Sequence, residues 1–167
     1  MSMIGEYARL TPAELDHAVR DPGWAQELID ELIDAELDGD AHASQLRCLD
    51  IDKAWDTLSF LLRRVSFPVD IVHGEEELPG ADDWGYGPPR YLTPEQVRTA
   101  AAALAATPSH TLIGSVTVRE LAQADLYPSI AEGYQQWLSY VVHHYEALTP
   151  YFQAAAQNGD AMIIWLD

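Results

Sequence analysis

An apolar stripe in the middle of the chain constrains the fold more than any other feature. Within residues 49–65, apolar side chains recur at steps of four, three, four and three residues, which places on one helical face Ile51, Trp55, Leu58, Leu62 and Val65. Asp50 precedes the stripe as a predicted N-cap, and Arg63 and Arg64 fall in the last turn, where the helix dipole favours positive charge. Because so long a stripe has to be covered, the sequence predicts a core helix with several elements packed on it.

Capping boxes mark the starts of four further helices. In each box a hydroxyl residue is followed three positions later by Glu or Gln, and the first residues of these boxes are Thr11, Thr93, Thr117 and Ser129. The first two predicted helices end near Arg20 and Ala106, and the third ends before Leu126. The fourth is the longest and reaches Gln157, with Pro150 expected to kink or restart it. A helix over 24–37 brings the predicted total to about six.

Two stretches are predicted as strands, at opposite ends of the sequence. Residues 3–10 are rich in apolar and aromatic residues, and residues 161–166 are apolar throughout and bounded by turn signals. Weaker extended pieces are predicted at 66–73 and 112–116. The expected fold is α+β, with a small mixed or antiparallel sheet that includes the N- and C-terminal strands, in a single domain over 1–167.

Charge narrows the range of partners. The chain has 27 acidic and 9 basic residues and a net charge of -18. Such a field repels nucleic acid and anionic membrane surfaces, and no apolar run approaches the length of about 20 that a membrane-spanning helix needs. Basic protein partners are favoured instead. The densest acidic cluster is the outer face of the 24–37 helix, with Glu27, Asp30, Glu31, Asp34 and Asp38, continued by Asp40; it is either a solvated surface or a partner-binding patch.

Neither a metal centre nor a cofactor is predicted. Cys48 is the only cysteine, which excludes an intrachain disulfide and a Cys-based zinc site, and the N-terminal residues lack the pattern of a secretory signal. A cytoplasmic location is therefore expected. No pair among His17, His42, His73, His110, His143 and His144 has the helical spacing of a zinc protease, and the chain has neither a Gly-rich phosphate loop nor a nucleophile elbow.

Asp52 and Asp56 form the one predicted carboxylate pair. In the predicted helix they lie at i and i+4 on the same side, flanking Trp55, and a buried pair could act in acid–base chemistry because one pKa would be raised. The competing interpretation is structural: these carboxylates cap the helix start or form an ion pair with Lys53 or Arg47.

The irregular segment 75–90 supplies the remaining candidate residues. Trp84 and Tyr86 lie in this acidic, Pro- and Gly-rich loop, where their rings either fold back on the core or line a recognition surface. Arg90 and Tyr91 follow directly. The predicted binding site lies where the start of the 49–65 helix meets the 84–91 loop.

The run LRCLDIDKAWDTLSFLL at 46–62 resembles the signature of the YfbM-like family of small bacterial proteins of unknown function. The start MSMIGEYARLTPAEL, RYLTPEQV at 90–97, LYP at 126–128 and the ending YFQAAAQNGDAMIIWL agree in order, so the resemblance spans nearly the whole chain. It implies a single-domain α+β fold in the cytoplasm and supplies no catalytic residue, cofactor or substrate. One departure is Ser59, where many relatives have histidine.

Two functional hypotheses stay open at this point. The first is a non-enzymatic binding protein whose acidic surface meets a basic protein, for example an immunity-type inhibitor of a basic toxin. The second is a small-molecule binder or enzyme with an aromatic-lined pocket near Asp52, Asp56 and the 84–91 loop. Self-association through exposed aromatic residues is a third alternative.

Overall fold

The computed structural model describes residues 1–39 and 45–167. Asp40 and His42 lie outside the described residues. In chain order the elements are β1 (Gly5–Leu10), α1 (Pro12–Arg20), α2 (Pro22–Leu37), β2 (Cys48–Asp50), a 3-10 turn (Asp52–Ala54), α3 (Trp55–Arg64), β3 (Glu76–Glu77), β4 (Arg90–Leu92), α4 (Pro94–Ala106), α5 (Ser109–Ile113), α6 (Val118–Gln123), α7 (Tyr134–Asn158) and β5 (Ala161–Leu166).

The described strands form one antiparallel sheet in the order β2-β1-β5-β4-β3. The C-terminal strand β5 lies in its centre, between β1 and β4, and pairs with β1 over its full length from Gly5 opposite Leu166 to Leu10 opposite Ala161. The predicted α+β class, with the two terminal strands side by side, is confirmed. The predicted burial of β5 is also found, since Ala161, Met162, Ile163 and Ile164 are buried.

Alternation along the strands divides the core into two layers. On one face Tyr7, Met162 and Ile164 pack against α3, α4 and α7. On the other face Ala8 and Ile163 pack against α1, α2 and Trp84. Because successive strand residues point to opposite faces, any two side chains separated by the sheet belong to different surfaces of the molecule.

The central helix is shorter than predicted. Leu49 and Asp50 belong to β2, which pairs with β1, and the α-helix begins only at Trp55. The predicted N-cap at Asp50 was therefore wrong: Asp52, with a φ of 44°, breaks the helical path. The stripe itself is confirmed, because Ile51, Trp55, Leu58 and Leu62 are buried in the larger core layer. An apolar stripe records which residues are buried and does not distinguish a helical turn from the end of a strand that leads into it.

Three of the four capping boxes form as predicted, at Thr11, Thr93 and Thr117. The fourth was wrong, since α7 begins after Gly133 rather than at Ser129. Gly133 is the N-cap of α7 and adopts a left-handed conformation with a φ of 75°, so the helix cap lies four residues later than the predicted cap at Ser129. The helix then continues through Pro150 as a single element, held in the core by Leu148, Tyr151 and Phe152.

Both weaker strand predictions were wrong. Residues 66–73 form turns, because the Asp70 side chain accepts the backbone N–H groups of Val72 and His73 and bends the chain. Residues 109–113 form α5 instead of an extended piece at 112–116. Among the described residues, none of the helices combines the length and the apolar character that crossing a membrane requires.

Candidate functional site

Asp52 and Asp56 bind separate partners. The Tyr140 hydroxyl donates to Asp52 Oδ2 over 2.5 Å, while Asp56 Oδ2 accepts the backbone N–H of Tyr127 over 2.8 Å. They do not lie on one helical face, because Asp52 precedes α3 in the 3-10 turn. The predicted ion pair with Arg47 is replaced by a contact between Arg47 and Glu14 at 2.6 Å. Each carboxylate therefore connects the start of α3 with a distant part of the chain, and the two do not act as a pair.

Trp55 is a packing residue with one contact of interest. Its indole Nε1 donates to the carbonyl of Met3 over 3.1 Å, and its ring stacks on Tyr127 at 5.7 Å. The ring edge also meets His73 at a centroid distance of 6.0 Å. Trp55 therefore connects α3 with the turn that carries His73.

The sheet separates the remaining predicted site residues. Arg90 lies on the same face as Leu92 and α3, and its guanidinium donates to the carbonyls of Gly74 and Glu75. Tyr91 lies on the opposite face with Trp84 and donates its hydroxyl to Glu76. The predicted site at α3 and the 84–91 loop therefore does not form as a unit. The 84–91 loop has no helical or strand periodicity, so its sequence did not indicate on which face of the sheet each ring would lie.

Trp84 lines a pocket whose acidic residues come from separate parts of the chain and could not be grouped from the sequence. This acidic pocket lies between α2, β1 and the 83–85 loop, has a volume of about 240 Å³ and is lined by Glu6, Asp30, Asp83, Trp84, Trp165 and Asp167 among others. None of the described residues that line it is Lys or Arg. Trp84 meets Trp165 edge to face at 5.6 Å, which fixes the aromatic wall of the acidic pocket.

The strand register explains the electrostatics of this pocket. Glu6 lies opposite Asp50 on β2 and opposite Trp165 on β5. Burial first, and the charges of Asp50 and Asp167 next, raise the pKa of the Glu6 carboxyl to about 7. Among the described residues no hydrogen-bond donor or cation offsets this cost. Near neutral pH the pocket therefore holds a carboxyl poised between its neutral and charged forms.

Backbone contacts hold the loop against β5. The N–H of Tyr86 donates to the carbonyl of Leu166 over 2.9 Å. Gly85 makes this approach possible with a φ of 101°, since a Cβ there would lie 2.6 Å from the same carbonyl. In the sequence only Gly85 itself indicated such a close approach, because the carbonyl of Leu166 that the loop meets lies 81 residues further along the chain.

A second cavity lies on the other face of the sheet, beside His73. It has a volume of about 260 Å³ and is lined by α3, including Ser59, and by the 67–75 segment. His73 Nδ1 is 3.4 Å from Asp70 Oδ2. Burial acts to raise the pKa of the Asp70 carboxyl, but the hydrogen bonds from His73 and Val72 outweigh it and hold the pKa below its usual value.

The thiol and the potential metal ligands do not assemble into a reactive centre in the described part of the chain. Burial and the neighbouring Glu36 raise the pKa of the Cys48 thiol to about 12, so the thiolate that nucleophilic chemistry needs is scarce. Within residues 1–39 and 45–167 no three His, Cys, Asp or Glu side chains are grouped so that they could hold a metal ion.

Comparison with known proteins agrees with this architecture. The chain is similar over 98% of its length to the crystal structure of YfbM from Escherichia coli, a protein of unknown function, with a TM-score of 0.68, 19% sequence identity and 99% of that protein covered. At this identity the likeness shows the fold alone. No curated protein matches the chain. Residues 1–165 match the family described as a domain of unknown function, DUF1877. The chain therefore belongs to the DUF1877 family, the YfbM-like proteins.

Proposed function

We propose that this protein is a non-enzymatic binding module for a basic protein, and that the acidic pocket receives a Lys or Arg side chain of that partner. The observation that carries the proposal is the lining of the pocket: four carboxylates and two indole rings with no cation from the described residues among them. Carboxylates pair with a cationic side chain, and an indole face attracts the same charge. Both properties are present in one concave site.

The surface around the acidic pocket carries the same sign. Glu27, Asp30, Glu31 and Asp34 on α2 and Asp38 at its C-cap are exposed, and none of them forms an ion pair with another described residue. Together with the net charge of -18, this face attracts a basic protein over a distance and accelerates its association. Asp30 lies both on the acidic face of α2 and in the pocket lining, so a basic partner attracted to this face is brought close to the pocket.

An immunity-type inhibitor of a basic toxin is one concrete form of this function. The acidic face then provides the fast encounter that such an inhibitor requires, and the pocket provides the anchor. The single cysteine and the high pKa of its thiol fit a reducing cytoplasm, which we propose as the location.

The test separates the acidic pocket from the general charge. Wild-type protein, Asp30→Asn and Asp34→Asn are used as baits for native lysate at low and at physiological salt. The two variants remove the same charge from the same helix, but only Asp30 lines the pocket. We expect a basic partner whose capture weakens with salt and is lost with Asp30→Asn while Asp34→Asn retains it.

A defined probe complements the capture experiment. An Arg-containing basic peptide should quench the fluorescence of Trp84 and Trp165, and Asp30→Asn should weaken its binding about tenfold, against about twofold for Asp34→Asn. Equal weakening by both variants would show that the charge acts only through its long-range field. Failure of both the lysate and the peptide to bind at low salt would refute the proposal.

A further inference from the structure

The cavity beside His73, which we call the α3 cavity, has both apolar and polar walls. It lies between the last two turns of α3 and the 67–75 segment, on the sheet face opposite the acidic pocket. Six apolar residues contribute to its walls: Leu62, Phe67, Pro68, Val69, Ile71 and Val72. A volume of about 260 Å³ is below the range that accepts drug-sized ligands, so it suits a small molecule.

Both acidic residues of the α3 cavity are engaged within the turn that they stabilise. Asp70 Oδ1 accepts the backbone N–H groups of Val72 and His73 over 3.1 and 2.9 Å, and Asp70 Oδ2 faces the imidazole. Glu75 Oε1 accepts the backbone N–H of Asp70 over 2.7 Å. Their charge is therefore partly compensated by donors of the 70–75 turn itself.

The polar groups that remain without partners are chiefly donors. Among residues 1–39 and 45–167, the Ser59 hydroxyl and the Arg63 guanidinium make neither a side-chain hydrogen bond nor an ion pair with another described residue. Ser59 is only 7% exposed, yet every fully buried polar side-chain atom in that part of the chain has a partner, so its Oγ opens to the α3 cavity.

We propose that the α3 cavity binds a small monocarboxylate with an apolar body. The body replaces solvent along the apolar walls, and the carboxylate accepts hydrogen bonds from Ser59 Oγ and the Arg63 guanidinium. The net charge of -18 repels any anion, but it repels a doubly charged phosphate about twice as strongly as a monocarboxylate, whose single charge the Arg63 guanidinium can balance locally. This site is independent of the acidic pocket.

Phenylacetate is a suitable probe, with phenylacetamide as its uncharged counterpart. Binding is followed by amide chemical shifts of the isotope-labelled protein, up to a ligand concentration of about 10 mM, which covers the weak affinities expected of so small a ligand. We expect saturable shifts at Ser59, Val72 and His73 for the acid, no comparable shifts at Glu6 or Trp84, and binding of the amide at least about tenfold weaker.

Two neighbouring arginines provide a matched pair of variants. Arg63 lines the α3 cavity, whereas Arg64 points to α6 and pairs with Glu120 at 3.0 Å. Arg63→Leu should weaken phenylacetate binding about tenfold and Arg64→Leu by less than about twofold, while Ser59→Ala should weaken it about fivefold. Both arginines are exposed, so neither variant is expected to disturb the fold.

Three results would overturn the proposal. The first is absence of saturable binding by phenylacetate at the highest concentration. The second is equal binding of phenylacetamide, which would leave the carboxylate without a role. The third is equal weakening by Arg63→Leu and Arg64→Leu, which would assign the effect to net charge rather than to the α3 cavity.

Discussion

Glu6 of β1 and Trp165 of β5 are direct cross-strand partners, and this pairing sets a carboxyl group against an indole ring at the edge of the acidic pocket. On its other side Glu6 faces Asp50, so its charged form has an acidic neighbour across the strand and no cation in the pocket lining. The raised pKa of Glu6 is a consequence of the register rather than of any local sequence motif.

The register predicts how stability changes with pH. The folded protein holds the Glu6 proton up to a pKa of about 7, above the value of an unfolded chain. This contribution to the free energy of unfolding is therefore complete below about pH 4 and is lost as pH rises through 7. Between pH 5 and pH 8 the stability of Glu6→Gln should therefore rise by about 1 kcal/mol relative to that of wild type. Solvent screening of the partly exposed Glu6 carboxyl keeps this difference small.

Urea unfolding of both proteins at the two pH values measures this difference. Glu27→Gln, on the exposed face of α2, is the control and should show no comparable change with pH. An unchanged difference between Glu6→Gln and wild type across this range would mean that Glu6 is already charged at pH 5.

The Arg9–Asp160 ion pair should behave as a buried interaction. Arg9 Nε and Nη2 both donate to Asp160 Oδ2, over 3.1 and 3.0 Å, and the two side chains are only 6% and 10% exposed. Asp160→Asn should cost about 3 kcal/mol, because it removes the negative charge that accepts two N–H groups of a buried guanidinium. Equilibrium unfolding in urea measures this cost.

A double-mutant cycle isolates the pair itself. Arg9→Met combined with Asp160→Asn should be less destabilising than the sum of the single changes, since the interaction between these two charges can be lost only once. The exposed Arg64–Glu120 pair is the comparison, and Arg64→Gln should cost at most about 1 kcal/mol. Strict additivity of the two core substitutions would contradict the interpretation.

Gly5 is predicted to be intolerant of a methyl group. A Cβ at this position would lie 2.9 Å from Ile51 Cγ1 and 3.1 Å from Trp55 Cβ, where the core layer is closely packed. Gly5→Ala should therefore lower the free energy of unfolding by about 2 kcal/mol. Gly23→Ala in the first turn of α2 meets no atom closer than 3.5 Å and should leave stability unchanged or raise it by about 0.5 kcal/mol. Thermal unfolding compares the two, and the same sign for both would disprove the steric argument.

Tyr140 should report the charge of Asp52. Burial first, and the hydrogen bond to the Asp52 carboxylate next, raise the pKa of the Tyr140 hydroxyl to about 12. Asp52→Asn removes the negative charge that favours the neutral phenol, so the pKa should fall towards 10 while remaining above it because burial persists. NMR titration of the labelled tyrosine ring carbons measures the change. Asp56→Asn, whose carboxylate binds Tyr127 instead, should leave it unaltered.

Local patterns predicted the elements well wherever the determining residues are neighbours in sequence. The boxes at Thr11, Thr93 and Thr117 formed because a cap and its partner lie three residues apart and need nothing else. The box at Ser129 did not form, and the apparent strand at 66–73 became turns around Asp70. The left-handed conformation of Gly133 set the start of α7 in the first case. In the second, hydrogen bonds from backbone N–H groups to the Asp70 side chain formed turns in place of the strand.

The candidate residues were less predictable than the elements. Trp84 was identified as a loop ring that either packs or recognises a partner, and it contributes to both the smaller core layer and the acidic pocket. Its acidic neighbours Glu6 and Asp167 are separated from it in sequence and were not singled out, although Asp30 was noted in the α2 cluster. Ser59 was noted only as a departure from the family pattern, and its position in the α3 cavity depends on how the 67–75 segment turns.

By itself the sequence determined the α+β class, the two terminal strands (predicted at 3–10 and 161–166, found at 5–10 and 161–166), three helix starts marked by capping boxes, the buried stripe around Trp55 and the net charge of -18. These properties depend on periodicity, composition and contacts between near neighbours. Only the tertiary structure decided that Trp55 and Trp84 lie on opposite faces of the sheet, and that Glu6 meets Asp50 and Trp165. Strand pairing and loop docking join residues distant in the chain, and no local pattern records which of them will meet.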